Sequence, residues 1–455
     1  ADLNDFLSGQ VVGNEVFMEY DYQAMLDSID VLNAGTSSSS NPASTPWGDY
    51  ILGVYALIGA DIDGEAANDY SGHSVSLSSD GTTVAIGAMG NDGNGDASGH
   101  VRIHAWNSTT SAWEQQGADI DGEAANDNSG WRVSLSSDGT TVAIGAYRND
   151  GNGDASGHVR IYAWNSTTSA WEQQGADIDG EAANDYSGYS VSLSSDGTTV
   201  AIGAYLNDGN GDASGHVRIY AWNSATSAWE QQGADIDGEA ANDYSGYSVS
   251  LSSDGTTVAI GAPLNDANGT SSGHVRIYAW NSATSAWEQQ GADIDGEAAG
   301  DNSGTSVSLS SDGTTVAIGA IMNEDNGTQS GHVRIYAWNS ATSAWEQQGA
   351  DIDGEAAYDW SGYSVSLSSD GTTVAIGAPY NDANGDNSGH VRIYAWNSAT
   401  SAWEQQGADI DGEAADDWSG WSVSLSSDGT TVAIGAYLNN GNGTLSGHVR
   451  IYWWH

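Results

Sequence analysis

Carboxylates carry most of the chemistry in this sequence, and they come in a fixed pattern: Asp61-x-Asp63-x-Glu65-x-x-x-Asp69, then Asp119-x-Asp121-x-Glu123-x-x-x-Asp127, and so on through further copies. Acids at the first, third, fifth and ninth places have the spacing of calcium loops, because alternate residues of a tight loop can turn oxygens toward one hard cation. Two features oppose that reading: the Gly falls at the fourth place rather than the sixth, and no bidentate acid follows at the twelfth. Two carboxylates about 5 Å apart at an effective dielectric of about 20 repel by roughly 3 kcal/mol, so cations, backbone donors or water must offset the charge. Asp in a Gly-rich turn also caps its own backbone. Calcium and self-capping are therefore both open, and Ca2+ is the one cofactor suggested. The second acidic loop, Asn91-Asp-Gly-Asn-Gly-Asp96, reads as a turn, since Asp96 gives way to Thr270, Thr328 and Thr444 in other copies and Asp92 to Asn440.

One His and one Arg also recur, in Gly-His-Val-Arg. The histidines are His100, His158, His216, His274, His332, His390 and His448; single histidines spread around a ring are not expected to ligate metal. The arginines at 102, 160, 218, 276, 334, 392 and 450 are nearly the only cations, and each is expected to pair with an acid of its own or the next module. No Ser-His-Asp signature, nucleophile elbow, phosphate loop or metalloprotease His pair is present. Near-identical modules also offer little asymmetry for a catalytic centre, so no enzymatic activity is expected. Asn107, Asn165, Asn268, Asn326 and Asn442 begin glycosylation sequons, a weak motif in a chain this rich in Ser, Thr and Asn.

The elements that position these residues repeat every 58 residues, from Gly59, Gly117, Gly175, Gly233, Gly291, Gly349 and Gly407. In each copy Val75-Ser-Leu-Ser alternates as a strand, the Asp80-Gly81 turn reverses the chain, and Thr83-Val-Ala-Ile-Gly87 returns. His100 to Trp106 and Ala112 to Gln116 make a third and a fourth strand. Four strands in each of seven copies predict an all-β, seven-bladed propeller. The last copy ends at Ile451-Tyr-Trp-Trp-His455 without its fourth strand, while Val54-Tyr-Ala-Leu-Ile58 stands in register for one ahead of the first copy. Pairing the two would close the ring and remove two bare sheet edges.

Strand order sends the loops at 61–72 and 88–99 to one face, here the top, and nearly all differences between copies fall there. Among the variable places are Tyr70, Trp131, Tyr189, Tyr247, Trp360, Tyr363, Trp418 and Trp421, aromatics suited to recognising sugar or protein, or alternatively to packing between blades.

Ahead of the array lies an N-terminal extension, residues 1–46, with the propeller assigned to 47–455. Met25, Leu26, Ile29 and Leu32 have helical spacing, and a Ser-rich linker runs from Thr36 to Pro46. A formal charge of −52, with no lysine, opposes nucleic acid and anionic lipid as partners. Cysteine is absent, no apolar run approaches membrane-spanning length, and the start at Ala1 fits a processed, exported chain; an extracellular or cell-surface location is expected.

The run Asp69-x-Ser-Gly-x-Ser-Val-x-Leu, followed by Val84-Ala-Ile-Gly-Ala and Gly99-His-Val-Arg-Ile, resembles the FG-GAP repeat of integrin-α heads and secreted microbial propellers, over residues 59–455. The resemblance implies a seven-bladed extracellular propeller used in adhesion or assembly. Ser stands where the family's Phe precedes Gly72, and the third letter of Gly-Ala-Pro survives only at Pro263 and Pro379. The family's calcium loop falls on the Ser79-Asp80-Gly81-Thr82 turn, too short to cage an ion. The resulting expectation is a structural or adhesive propeller that oligomerises or polymerises through residues 1–46. The alternative is a calcium-assisted lectin or adhesin that binds a glycan or surface protein through the top-face aromatics.

Overall fold

The computed structural model describes residues 53–455, and the helix, linker and domain boundary expected before residue 53 lie outside the described residues. Seven antiparallel sheets follow one another, and every described element is a strand. Blade 1 consists of Ser71–Leu77, Thr83–Ala88, His100–Asn107 and Ala112–Gln115, with the short Ile120–Asp121 added to its third strand. Blades 2 to 6 repeat the plan. Blade 7 has Ser422–Leu425, Thr431–Ala436 and His448–Trp454, and its fourth strand is Tyr55–Leu57 from the other end of the described chain. Tyr55 pairs with Trp454, Ala56 with Trp453 and Leu57 with Tyr452, so the ring closes as the chain ends require.

The innermost strand of each blade faces the axis as an edge, and the alternating serines of Ser-Val-Ser-Leu resolve the problem an edge creates. Ser76 Oγ accepts from Leu135 N of the next blade at 2.9 Å, Ser134 Oγ from Leu193 N, and so on until Ser424 Oγ accepts from Leu77 N. Below them the backbone itself closes: Ser79 N donates to Ser137 O, Ser137 N to Ser195 O, and the series returns at Ser427 N to Ser79 O, 2.9 Å. A continuous hydrogen-bonded ring of serines thus encircles the lower end of the axis.

The apolar core lies between blades rather than inside them. Ala85, Val101, Ile103 and Ile120 of blade 1 pack on Val133, Leu135, Val142 and Ile144 of blade 2, under Tyr162 and Trp171. Thr-Val-Ala-Ile-Gly-Ala is covered on both faces, which is why it reads as a nearly unbroken apolar run. Its Gly145 lets the blades approach: a methyl there would fall inside the contact radius of the Gly188 carbonyl oxygen of the next blade. Arg160 staples the same seam. Its Nη2 donates to Asp121 O at 2.7 Å and its Nη1 to Tyr162 Oη at 2.8 Å, whereas Glu123 stands 3.9 Å away. The expected ion pair is therefore secondary to hydrogen bonds with a carbonyl and a phenol.

Candidate functional site on the top face and in the seams

The loops that vary between copies do share one face. They hold each other there: Asn94 Nδ2 donates to the Gly122 and Glu123 carbonyls at 2.9 and 2.8 Å, and Asn91 Nδ2 to Asp69 Oδ2. On this frame one residue per blade converges at the axis, in the order His73, Trp131, Tyr189, Tyr247, Thr305, Tyr363 and Trp421. Ring centroids lie 4.3 Å apart for His73–Trp131, 5.3 Å for Trp131–Tyr189, 5.0 Å for Tyr189–Tyr247 and 4.1 Å for Tyr363–Trp421. Around them Trp360 and Trp418 flank Tyr380 at 4.4 and 4.5 Å, and Tyr70 reaches Tyr437 at 5.9 Å. All eight aromatics singled out from the sequence thus join one surface. Tyr189 is buried in it and the other seven are half-buried.

Sequence reasoning missed Tyr147, Tyr205, Tyr380 and Tyr437, which stand one or two places after Gly-Ala and fill the spaces between the others. Their signal was present, since those places also vary between copies. Blade 5 alone carries no aromatic at any of these places: it has Asn302, Thr305, Ile321 and Met322. Blade 2 carries the only two arginines outside the strand series. Arg132 lies 5.6 Å from the Trp131 ring centroid and 6.0 Å from that of Tyr189, and the exposed Arg148 lies 5.2 Å from that of Tyr147. Burial raises the Tyr189 and Tyr363 phenols well above their ordinary range, so both stay protonated donors.

The acidic loop does not gather its four carboxylates about one point. Asp69 caps its own loop, with Oδ2 accepting from Ala66 N at 2.9 Å, and Asp127 does the same with Ala124 N at 3.0 Å. Asp61 turns to His448 of blade 7, 3.8 Å away, beside Glu413. Glu65 turns to the next seam, where its oxygens stand 3.9 Å from His100 Nδ1 and 3.9 Å from Arg102 Nη1. Asp119 completes that second group at 4.0 Å from His100, and the Glu123–His158–Asp177 group repeats it. Asp63 and Asp121 offer their backbone carbonyls to Arg102 and Arg160. The single-loop calcium set is thus replaced by Glu–His–Asp clusters in the seams, and the histidines thought too dispersed to ligate each acquire two acids from elsewhere in the chain. Spacing along the sequence could not reveal this, because the partners lie on opposite sides of a seam. Burial, reinforced by Arg160, holds the His158 imidazole well below its usual range and so neutral. Burial raises Glu123, against the pull of Arg160 and with help from Asp177.

The family model of the FG-GAP repeat matches residues 54–103, 119–162, 177–220, 235–278, 293–336, 351–394 and 409–452. The chain belongs to the FG-GAP repeat family. No curated protein sequence matches this FG-GAP propeller. Solved structures share its fold at low identity. One is a protein provisionally assigned as a 6-phosphogluconolactonase from Bacteroides uniformis, with a TM-score of 0.53 and 12% identity over 75% of this chain and 86% of that one. Another is hydrazine synthase from Kuenenia stuttgartiensis, with a TM-score of 0.52 and 12% identity over 83% and 94%. A third is a periplasmic gluconolactonase from Pseudomonas aeruginosa, with a TM-score of 0.51 and 15% identity over 75% and 86%.

These neighbours overturn the expectation that the FG-GAP propeller has no enzymatic activity. At such identities the likeness is one of fold, but it is a fold shared with proteins described as enzymes, so the architecture carries no presumption against catalysis. Nor are the blades too alike for an asymmetric site, because the aromatics, Arg132 and Arg148 break the sevenfold repeat on the top face.

The hairpin where the family resemblance places calcium does not fit an ion. Asp80 Oδ1 already accepts from Ser78 Oγ, Thr82 N and Thr82 Oγ1 at 2.7, 3.0 and 2.8 Å. The five sequon asparagines are engaged too: Asn107 and Asn165 Nδ2 donate to Glu114 and Glu172, while Asn268, Asn326 and Asn442 Nδ2 tie adjoining loops together. An N-linked glycan replaces one Nδ2 hydrogen, so on Asn268, Asn326 or Asn442, whose Nδ2 each donates twice, it would cost one of those bonds. Among the described residues, equivalent open grooves recur between neighbouring blades away from the top face, such as one of about 530 Å³ between Trp106, Glu114 and Trp164.

Proposed function

We propose that this FG-GAP propeller is an exported adhesive module that binds carbohydrate on the aromatic surface around the top of its axis. The observation that carries the reading is conformational. Tyr70, Tyr186, Tyr244, Trp360 and Trp418 all adopt left-handed backbone, with φ of 58°, 58°, 59°, 54° and 56°. That region disfavours a bulky L residue by about 1–2 kcal/mol and suits Asn far better. Asn128 and Asn302 occupy the same place in two blades, where Nδ2 donates to the Met89 and Pro263 carbonyls at 3.1 Å. Folding alone would thus be served by Asn in every blade, and five aromatics in strained backbone point to selection for a contact surface. Flat rings with phenol and indole donors at their edges suit the apolar faces and hydroxyls of sugars. Arg132 and Arg148 suit a carboxylated sugar unit at the blade 2 end.

The test is an array of neutral and uronate-containing oligosaccharides, probed with the whole chain and with Trp360→Asn, Trp418→Asn and Arg148→Gln. The two Asn variants should melt within a few degrees of the parent, because lost packing is set against relieved strain, and should lose binding. Arg148→Gln should lose only the acidic glycans. Unchanged glycan binding in both Asn variants sinks the reading. Because two structural neighbours are described as lactonases, the same protein is assayed for sugar-lactone hydrolysis, and turnover would replace the adhesive reading with an enzymatic one. Self-assembly through residues 1–46 is a separate proposal, refuted if chains lacking that segment still polymerise.

A further inference from the structure

The seam that enters blade 5 differs from the others. At the position held by Gly93, Gly151, Gly209 and Gly441 in other blades, its top loop carries Asp325. The usual Glu–His–Asp cluster thereby gains a fourth member: Glu297, Asp325, His332 and Asp351 each place one donor atom within 4.8 Å of the others. His332 Nδ1 stands 3.9 Å from Glu297 Oε2, too far for a hydrogen bond. Two ligands of one tetrahedral zinc ion, at bonds of about 2.0–2.1 Å, lie about 3.4 Å apart, so seating an ion asks His332 and Glu297 to close by about half an ångström and the other pairs, which stand up to 4.8 Å apart, by up to about 1.4 Å.

A second observation points to a ligand. The His332 side chain is fully buried, and neither of its ring nitrogens has a hydrogen-bond partner. Burying two polar atoms unpaired is unfavourable unless something occupies the space they face. Arg334 Nη1 stands 3.8 Å from Glu297 Oε1, on the other oxygen of that carboxylate, so it orients the group and leaves Oε2 toward the cluster.

We propose that the blade 5 seam binds one divalent transition-metal ion through His332 Nδ1 and carboxylate oxygens of Glu297, Asp325 and Asp351. The imidazole selects against calcium and magnesium, which prefer oxygen alone, and favours zinc-like ions. The remaining seams, lacking the Asp325 oxygen, are weaker three-donor versions of the same site. The proposal is independent of the carbohydrate reading: blade 5 is the blade without top-face aromatics at the axis, and binding of one ligand can fail without the other.

The test uses the full chain, stripped with chelator and titrated with Co2+ by visible absorption, with Zn2+ as competitor. About one Co2+ per chain should bind ahead of the rest and give the intense bands of a tetrahedral centre. Asp325→Gly restores the residue that four of the six other blades carry, the remaining two having Ala267 and Ala383, so the variant folds, and it should weaken that first class by at least about tenfold, the lower end of what even an outer-shell loss costs. Asp325→Asn, which keeps the side-chain shape, and His332→Gln should do the same. The proposal is overturned if parent and Asp325→Gly give the same isotherm and spectrum, if bound Co2+ keeps the weak spectrum of the hydrated ion, or if Ca2+ displaces Co2+ from the first class.

Discussion

Removing the closing strand separates a ring from an open array. Truncation to residue 53 deletes only residues ahead of the described propeller, whereas truncation to residue 59 also removes Gly53–Ile58. The second deletion loses Gly53 N to His455 O at 2.8 Å, Ile58 N to Ile451 O at 2.7 Å, His455 N to Val54 O at 3.1 Å and Trp113 Nε1 to Ile58 O at 3.0 Å, besides the three-pair ladder. At about 1 kcal/mol net each, the four named bonds represent about 4 kcal/mol. Tyr55, packed on Trp454 at 4.7 Å and on the blade 6–7 core, and Ile58, on the blade 7–1 core, add roughly 3 kcal/mol as half-buried side chains. The total, about 7 kcal/mol, is of the order of a whole domain's stability. The longer truncation should therefore lose the cooperative urea transition that the shorter one keeps, or associate through the bared edge of His448–Trp454. Urea denaturation followed by fluorescence, with light scattering for mass, reads both. A chain starting at residue 59 that stays monomeric with the same midpoint as the chain starting at residue 53 would refute closure by this strand.

Two substitutions test the seams. His104 stands where the other blades have Tyr162 or its equivalents, so Arg102 lacks the phenol that Arg160 Nη1 bonds, and burial, aided by Arg102, holds His104 down at about 4. A depressed imidazole stabilises the fold fully above the unfolded value of about 6.5, and that contribution is lost as pH falls toward 4. His104→Tyr should gain about 1–2 kcal/mol at neutral pH, and its advantage should widen by up to about 3 kcal/mol by pH 4; a constant or shrinking difference in chemical denaturation across that range would contradict the assignment. Gly145→Ala should destabilise by about 3 kcal/mol or more, because its methyl meets a backbone oxygen that cannot rotate away. By contrast, Gly300→Asn, at a site with no neighbour within 4 Å and Asn in four other blades, should leave the midpoint unchanged or raised. Equal effects of the two glycine changes on the melting curve would show that blade contact is not what glycine provides at 145.

The strand plan, the number of blades and the closing strand were legible in the sequence by itself. An exact 58-residue period fixes the module, strand alternation fixes its faces, and a fourth strand missing at one end and spare at the other fixes the join. So was the variable face, because differences between copies reveal it without reference to any other protein. Tertiary structure alone decided the chemistry of the seams. Glu65 and His100 are 35 residues apart and Asp119 a further 19, on elements that meet only when one blade leans on the next. In the sequence Asp61, Asp63, Glu65 and Asp69 look like one set because they are near neighbours, yet Asp61 faces His448 of blade 7, Glu65 beyond Gly64 faces Arg102 of blade 1, and Asp69 folds back to cap Ala66 N. The same limit hid the roles of the histidines: seven equal spacings reveal a ring, but only packing shows what each ring member faces.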